Sequence, residues 1–498
     1  MDLLNTLTYD ETYRPQFHYS PPAQWMNDPN GMVYYEGEYH LFYQHHPGST
    51  VWGPMHWGHA VSKDLVRWEQ HPIALRPDRN GTVFSGSAVV DWKDSSGFFG
   101  GGTGLVAIFT QDDSDPETGE SRQRQSLAYS KDKGRTWAMF AGNPVLTDAR
   151  FTDFRDPKVF WDERRGRWAM AIAAGDRIAF YTSPDLKEWT FRSEFGQTEG
   201  SHDGVWECPD LFELPVDGDE RRRKWVLIVS IGDNPDEPAG SRTQYFVGSF
   251  DGDKFVNEND GDSVLWLDHG RDNYAAVTWS DVPGDDGRRL LIGWMSNWKY
   301  ANQTPTDAWR GALTLPRVLE LRSGAAGTRL VQKPVDDIVT LRESVRELRD
   351  VTVKEGENPL AGLEAECLEI TAELELRGAE ELGFRVRKSG AEETVVGYDA
   401  STGRVFVDRS RSGQSDFHEG FACRHEADIT VRDGRLRLQL FVDRSSVEVF
   451  AGEGELAMTD LIFPSAGSMG LEFYAKGGEI GIVSMSVSVI KSIWQEAR

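Results

Sequence analysis

The chain has little cysteine, no excess of basic residues and no long apolar run. Each absence removes a class of protein. Cys208, Cys367 and Cys423 are the only cysteines in 498 residues. Their odd number and wide spacing, with no CxxC pair, exclude a disulfide framework and a zinc knuckle. No stretch approaches the roughly 18 apolar residues that a membrane-spanning helix needs. Lys and Arg number 54 against 80 Asp and Glu, a net charge of −26. Phosphate binding requires a basic face, so neither nucleic acid nor an anionic membrane surface is an expected partner. "GFFGGGTGLVAIF" is glycine-rich but lacks the GxxxxGK[ST] phosphate loop and a following helix signal, so it reads as a hairpin loop. His45-His46 come without HExxH or a carboxylate at ligand spacing. They are expected at the surface or lining a substrate pocket, not on a metal. The N-terminal "MDLLNTLTYDETYRPQFHY" has neither a basic n-region nor an apolar h-region. The expectation is a cytoplasmic protein, or a secreted one whose leader has been removed.

What is present is aromatic and β-forming. There are 17 Trp, 14 Tyr and 25 Phe, whose flat faces suit sugar C–H groups and protein cores alike. The length favours two domains over one core. "YHLFYQHH", "LVAIFTQ", "WAMAIAAG", "KWVLIVSIG" and "RLLIGWMS" read as short strands between Gly, Pro, Asn and Asp. A turn motif recurs on them. Ser62-Lys63-Asp64 precedes Trp68, Ser130-Lys131-Asp132 precedes Trp137, Ser183-Pro184-Asp185 precedes Trp189, and Ser249-Phe250-Asp251 precedes Phe255. The aspartates lie 68, 53 and 66 residues apart. That period fits one four-stranded propeller blade with its loops.

A second series runs in phase. Ser85, Asp156, Glu207 and Asn273 follow the four turn aspartates by 21, 24, 22 and 22 residues. "WMNDPNG", with Asp28, opens this series ahead of the first turn. Five blades therefore start near Asp28, Ser85, Asp156, Glu207 and Asn273. Innermost propeller strands ring one channel, so Asp28, Asp156 and Glu207 converge there.

Beyond about residue 334 the pattern changes. Ile338, Leu341, Val345 and Leu348 share one helical face, which predicts a linker over 334–346 with room for a short helix. Further on, Leu368, Ile370, Ala372, Leu374 and Leu376 alternate with Glu and Thr. So do Leu436, Leu438, Leu440 and Val442, ahead of the "DRSS" turn into "VEVF". Strict alternation indicates half-buried antiparallel strands, hence a β-sandwich over 347–498. No carboxylate constellation is evident in it, and its expected role is support. The predicted fold is all-β: a five-bladed β-propeller over 1–333 followed by the sandwich.

Three converging acids permit glycoside hydrolysis, which needs two carboxyl groups flanking the scissile bond. A third can stabilise an oxocarbenium-like transition state. Clustering also raises carboxyl pKa values, which helps keep an acid protonated. The bland alternative stays open on spacing alone. Asp-Pro can merely start a strand in "NDPNG" and "RDPKVF", and Glu207-Cys208-Pro209-Asp210 can be only a bulge. The in-phase placement favours chemistry.

"WMNDPNG", "FYQ", "FSGSA", "RDP", "EC" and "GWM", in this order, resemble the motifs of glycoside hydrolase family 32. That is the invertase, inulinase and levanase family, and "VDRSSVEVF" resembles its C-terminal segment. The resemblance spans essentially the whole chain. It implies a propeller joined to a sandwich and a retaining β-fructofuranosidase. It implies Asp28 as nucleophile, Glu207 as general acid/base and Asp156 as transition-state stabiliser. Trp25, Asn27, Gln44, Trp52, Phe84, Ser85 and Arg155 match positions lining the first fructosyl subsite, and Tyr274 and Trp294 match its wall. No metal or organic cofactor is implied. "RDNYAAVTW" and "GWMSNWKYANQTPTDAWRGALTLPR" look closer to bacterial levanases and exo-inulinases than to invertases. The implied substrates are levan, inulin, fructo-oligosaccharides and sucrose, with exo-release of fructose. A sucrose-preferring enzyme, a fructosyltransferase, an inverting enzyme and a non-catalytic fructan-binding propeller are the alternatives. The missing leader departs from the commonly secreted levanases.

Overall fold

A computed structural model of the chain describes residues 8–114, 119–261, 263–284 and 286–494. Alternating and β-branched sequence becomes mostly antiparallel sheet, its strands joined by turns, loops and short 3-10 segments. Five four-stranded blades follow one another. Their innermost strands are Gln24–Tyr35, Thr82–Val90, Phe154–Asp162, Trp206–Val216 and Tyr274–Thr278. Each of these touches the next, and the last touches the first, so they close a ring.

The repeated turn motif joins the third to the fourth strand in blades I to IV. The serine hydroxyl donates to the aspartate at Ser62–Asp64 (3.1 Å), Ser130–Asp132 (2.8 Å) and Ser183–Asp185 (3.2 Å). The same carboxylates accept backbone N–H groups from Arg67, Thr136 and Glu188, which pins the turn. The following Trp137 and Trp189 donate their indole N–H groups back to the carbonyls of Gly134 and Leu186. At the fourth copy Asp251 holds Asp253 and Lys254 in the same manner. Blade V has no copy because Arg317–Gly324 and Gly327–Pro334 join through a tight hairpin.

The linker differs from the helical face that the sequence suggested. Ile338 and Leu341 are buried on a 3-10 turn, Asp336–Leu341. Val345 and Leu348 lie instead on the strand Arg342–Lys354, with Val345 exposed. This strand pairs along its length with Glu479–Ile490, and those ladder hydrogen bonds override the local helical period. The sandwich stacks a six-stranded sheet on a five-stranded one. Leu368, Ile370, Leu374, Leu440 and Val442 of one sheet meet Leu382, Phe384, Val396 and Phe473 of the other in its core.

The sandwich is not devoid of clustered carboxylates. Glu448, inside "VEVF", is fully buried and accepts from Arg317 of blade V at 2.5 Å and from the backbone N–H of Leu315 at 2.7 Å. His18 lies between Asp443 and Glu448, 2.8 Å from each. Arg317 also reaches Asp268 of the propeller at 3.0 Å. A second weld joins Arg409 of the sandwich to Asp272 at 2.5 Å and to the Tyr300 hydroxyl at 2.8 Å. These acids face the propeller across the domain boundary, away from solvent. Period-two patterning marks such residues only as interruptions of an apolar face, which is why it missed them.

Candidate active site

All five innermost strands begin with the same irregularity. Against the second strand of each blade, three steps on the inner strand match two on its partner. The bulges fall between Met26 and Pro29, Val83 and Gly86, Arg155 and Lys158, Glu207 and Asp210, and Tyr274 and Val277. A bulge bends the strand and redirects side chains, here around the mouth of one channel. Asp156 and Cys208 pay for this with left-handed backbone, φ +63° and +48°, rare for residues other than glycine.

The bulges also correct the phase assigned from sequence. Asp28 and Ser85 are second in their bulges, Asp156 is first, and Glu207 and Tyr274 directly precede theirs. The segments are equivalent, whereas the acids are offset by a residue or two. Each blade thereby presents its functional group from a different angle.

Asp28, Asp156 and Glu207 come together as expected. The Asp28 carboxylate accepts from Asn27 Nδ2 at 3.0 Å and Ser85 Oγ at 2.9 Å. Asp156 Oδ2 accepts the backbone N–H of Cys208 at 2.9 Å. The Cys208 thiol lies 3.5 Å from both Asp28 Oδ2 and Asp156 Oδ2, so it bridges the two carboxylates. Glu207 Oε1 accepts twice from Arg155, from Nε at 3.1 Å and Nη2 at 2.9 Å. Its Oε2 accepts from the Tyr274 hydroxyl.

Burial, then the charge of Glu207, pushes the Asp28 carboxyl up to about 6, against the pull of its donors. Burial pushes Asp156 up as well, to about 7, with the nearby Arg155 opposing and the other two carboxylates adding to it. Burial and the same three acids push the Cys208 thiol well up, so it stays protonated and donates.

The remaining predicted residues form walls around the trio. The Trp25 indole donates to Asn27 Oδ1 at 2.7 Å, so it steadies the residue that steadies Asp28. Gln44 is buried on the second strand of blade I, where His45 and Tyr43 flank the Asn27-Asp28 bulge, and its Nε2 has no protein acceptor. Trp294 stands opposite Tyr274 in the ladder, and its buried Nε1 is likewise without an acceptor. Phe84 and Trp52 meet at 6.3 Å. Trp52 is 47% exposed, as suits a rim residue. His45 and His46 use Nδ1 to donate to the carbonyls of Trp25 and Val51, at 2.8 and 2.9 Å. These bonds hold the loop. Among the described residues no group of three or more His, Cys, Asp and Glu could bind a metal ion.

Three contributors were not singled out from sequence. Cys208 was visible only as a letter in "WECPDLF". Trp298 packs on Trp25 at 5.9 Å and on Trp294 at 4.7 Å. Asn302 accepts the backbone N–H of Trp52 at 2.9 Å. Trp298 and Asn302 belong to the long excursion between the second and third strands of blade V. That excursion also pairs Trp309–Arg310 with Gln24–Trp25 and so folds back over the site. Its aromatic density was the available signal.

Comparison with known proteins agrees with this architecture. The levanase of Bacillus subtilis (strain 168) is 53% identical over 99% of this chain, which spans 72% of that protein. The extracellular exo-inulinase of Aspergillus ficuum is 38% identical over 99% of this chain and 97% of its own. The crystal structure of an exo-inulinase from Aspergillus awamori superposes with a TM-score of 0.91 at 36% identity, covering 98% of this chain and all of that one. Residues 18–334 match the N-terminal domain of glycosyl hydrolases family 32, and residues 337–490 match the family's C-terminal domain. The chain belongs to glycoside hydrolase family 32.

Proposed function

We propose that the protein is a retaining, exo-acting β-fructofuranosidase that releases fructose from levan, inulin and their oligosaccharides, and from sucrose. One observation carries this: two carboxyl groups from different blades meet at one channel mouth with unlike hydrogen-bond partners. Asp28 is held by Asn27 and Ser85, which fix an ionised carboxylate. Glu207 is held by a phenol on one oxygen and a guanidinium on the other.

Asp28 attacks the anomeric C2 of a terminal fructosyl unit. Glu207 gives its proton to the departing oxygen, then takes one from the water that frees the covalent intermediate. Asp156, aligned by the Cys208 N–H, binds ring hydroxyls and supplies negative charge as the oxocarbenium ion develops. Arg155 and Tyr274 aim Glu207. Trp25, Gln44, Trp52, Phe84 and Trp294 enclose the sugar. The preference for levan and inulin rests on the levanase and exo-inulinase likeness.

Variants Asp28→Ala and Glu207→Ala test the roles on levan, inulin and sucrose. Both are expected to lose fructose release by at least about 10³-fold while remaining folded. On an aryl β-fructofuranoside, whose leaving group needs no proton, azide is expected to restore turnover in Glu207→Ala through a fructosyl azide, since deglycosylation then needs no base. It should do nothing for Asp28→Ala. Near wild-type turnover in either variant removes the role assigned to that residue.

A further inference from the structure

Cys423, His425 and Asp460 form a thiol–imidazole–carboxylate line in the sandwich that the hydrolytic chemistry does not use. Cys423 directly precedes Arg424–Asp428, the edge strand of the five-stranded sheet. Asp460 lies on Leu456–Leu461, the edge strand of the six-stranded sheet. Cys423 Sγ is 3.7 Å from His425 Nδ1, and His425 Nε2 is 2.9 Å from Asp460 Oδ2. Asp460 is itself oriented. Its Oδ1 accepts the Arg271 N–H at 3.2 Å and faces the Arg409 guanidinium at 3.7 Å.

The three cysteines differ in their surroundings. Cys208 and Cys367 are buried, and both thiols are pushed well up, first by burial and then by neighbouring carboxylates. Cys423 is only partly buried. Burial raises its thiol too, yet the His425 hydrogen bond and the Arg409 and His425 charges outweigh burial and the opposing Asp460, and hold it below its ordinary value. His425 is desolvated, but Asp460 lifts it to about 9, so the imidazole is cationic at neutral pH. A thiol on a partly buried cysteine beside a carboxylate-held imidazolium is the setting in which a thiolate forms.

We propose that Cys423 is a reactive modification site, a thiol activated by His425 and Asp460 that exchanges with small-molecule disulfides and is capped by soft electrophiles. In the exchange the sulfur reacts as a thiolate paired with the His425 imidazolium, its proton having gone to solvent. The sulfur attacks one sulfur of the disulfide, forming a new S–S bond as the old one breaks. The other half of the disulfide departs as a thiolate, which takes a proton from solvent according to its own pKa. One disulfide is consumed, and one mixed disulfide and one free thiol result. The protein sulfur is oxidised and the departing half is reduced.

The test treats the folded protein with the aromatic disulfide 5,5′-dithiobis(2-nitrobenzoate), follows the thiolate released and maps the modified peptide by mass. One equivalent is expected to react, on Cys423, with a pH–rate midpoint below the value of about 8.5 for an ordinary cysteine. His425→Asn should slow the reaction at pH 7 by about tenfold or more and raise the midpoint. No reaction before unfolding, modification of Cys208 or Cys367 instead, or a rate indifferent to His425→Asn would overturn the proposal. If His425→Asn does not fold, the wild-type profile decides alone, because a midpoint at or above about 8.5 contradicts an activated thiol.

Discussion

Asp28 carries opposing demands in one side chain. In the proposed mechanism it must be ionised to attack, yet burial holds its carboxyl at about 6 in the fold, against about 3.9 in an unfolded chain. A carboxyl whose folded pKa is raised binds its proton more tightly when folded. Its ionisation therefore lowers stability, fully above about pH 6 and not at all below about pH 4. Two outcomes follow for this residue. The kcat/KM profile should fall as pH drops below about 6, as Asp28 takes up its proton. Asp28→Asn keeps the shape and the hydrogen-bond acceptor without the charge. It should be inactive, yet more stable than wild type at pH 8 by roughly 1–3 kcal/mol, with the gap closing toward pH 4 in thermal melts. Tyr274 bears on the other carboxyl. Tyr274→Phe strips Glu207 Oε2 of its hydroxyl donor and should reduce kcat by about 10- to 100-fold with a smaller change in KM, read on sucrose.

At the scale of elements, the decisive feature is the bulge that opens every inner strand. Five bulges at one level turn strand ends into a ring of redirected side chains, and the aspartate turns on the far strands pin blades I to IV. Gly31 belongs to the second irregularity of Gln24–Tyr35. Its φ is +58°, and a Cβ there would meet the Trp57 ring at 2.6 Å and the Phe42 ring at 2.8 Å. Gly31→Ala combines backbone strain with a clash against two packed rings, and should destabilise the protein by about 2–4 kcal/mol in urea melts. The aspartate turns were legible in sequence because each is built from local contacts at fixed spacing. The bulges were legible as a near-constant offset, and at Glu207-Cys208-Pro209-Asp210 as a candidate bulge. Which residue of a bulge points inward depends on pairing with a partner strand, and chain spacing does not record that. Cys208 stayed silent for the same reason: its thiol matters through two carboxylates from other blades.

At the scale of the molecule, buried ion pairs weld propeller to sandwich. His18 is lifted to about 9 by hydrogen bonds to Asp443 and Glu448, against the desolvation that opposes its charge. A histidine raised in the fold contributes stability that is fully present below about pH 6.5 and lost as pH rises through about 9. The stability gap between wild type and His18→Gln should therefore be largest near pH 6 and shrink above pH 9 in thermal melts. The division into two all-β bodies was visible from strand patterning. The weld was not, because His18 and Arg317 are far in the chain from Asp443 and Glu448, and each alone looks like a polar residue in a strand or turn.

The central claim is that Asp28 and Glu207 release fructose through a covalent intermediate, one terminal unit at a time. The most direct test is 13C NMR of levan and inulin digests within the first minutes, before mutarotation scrambles the anomers. The account predicts β-fructofuranose as the first-formed product, with no longer oligosaccharide beside it. First-formed α-fructofuranose would contradict the covalent role of Asp28, and early oligosaccharides would contradict exo-action.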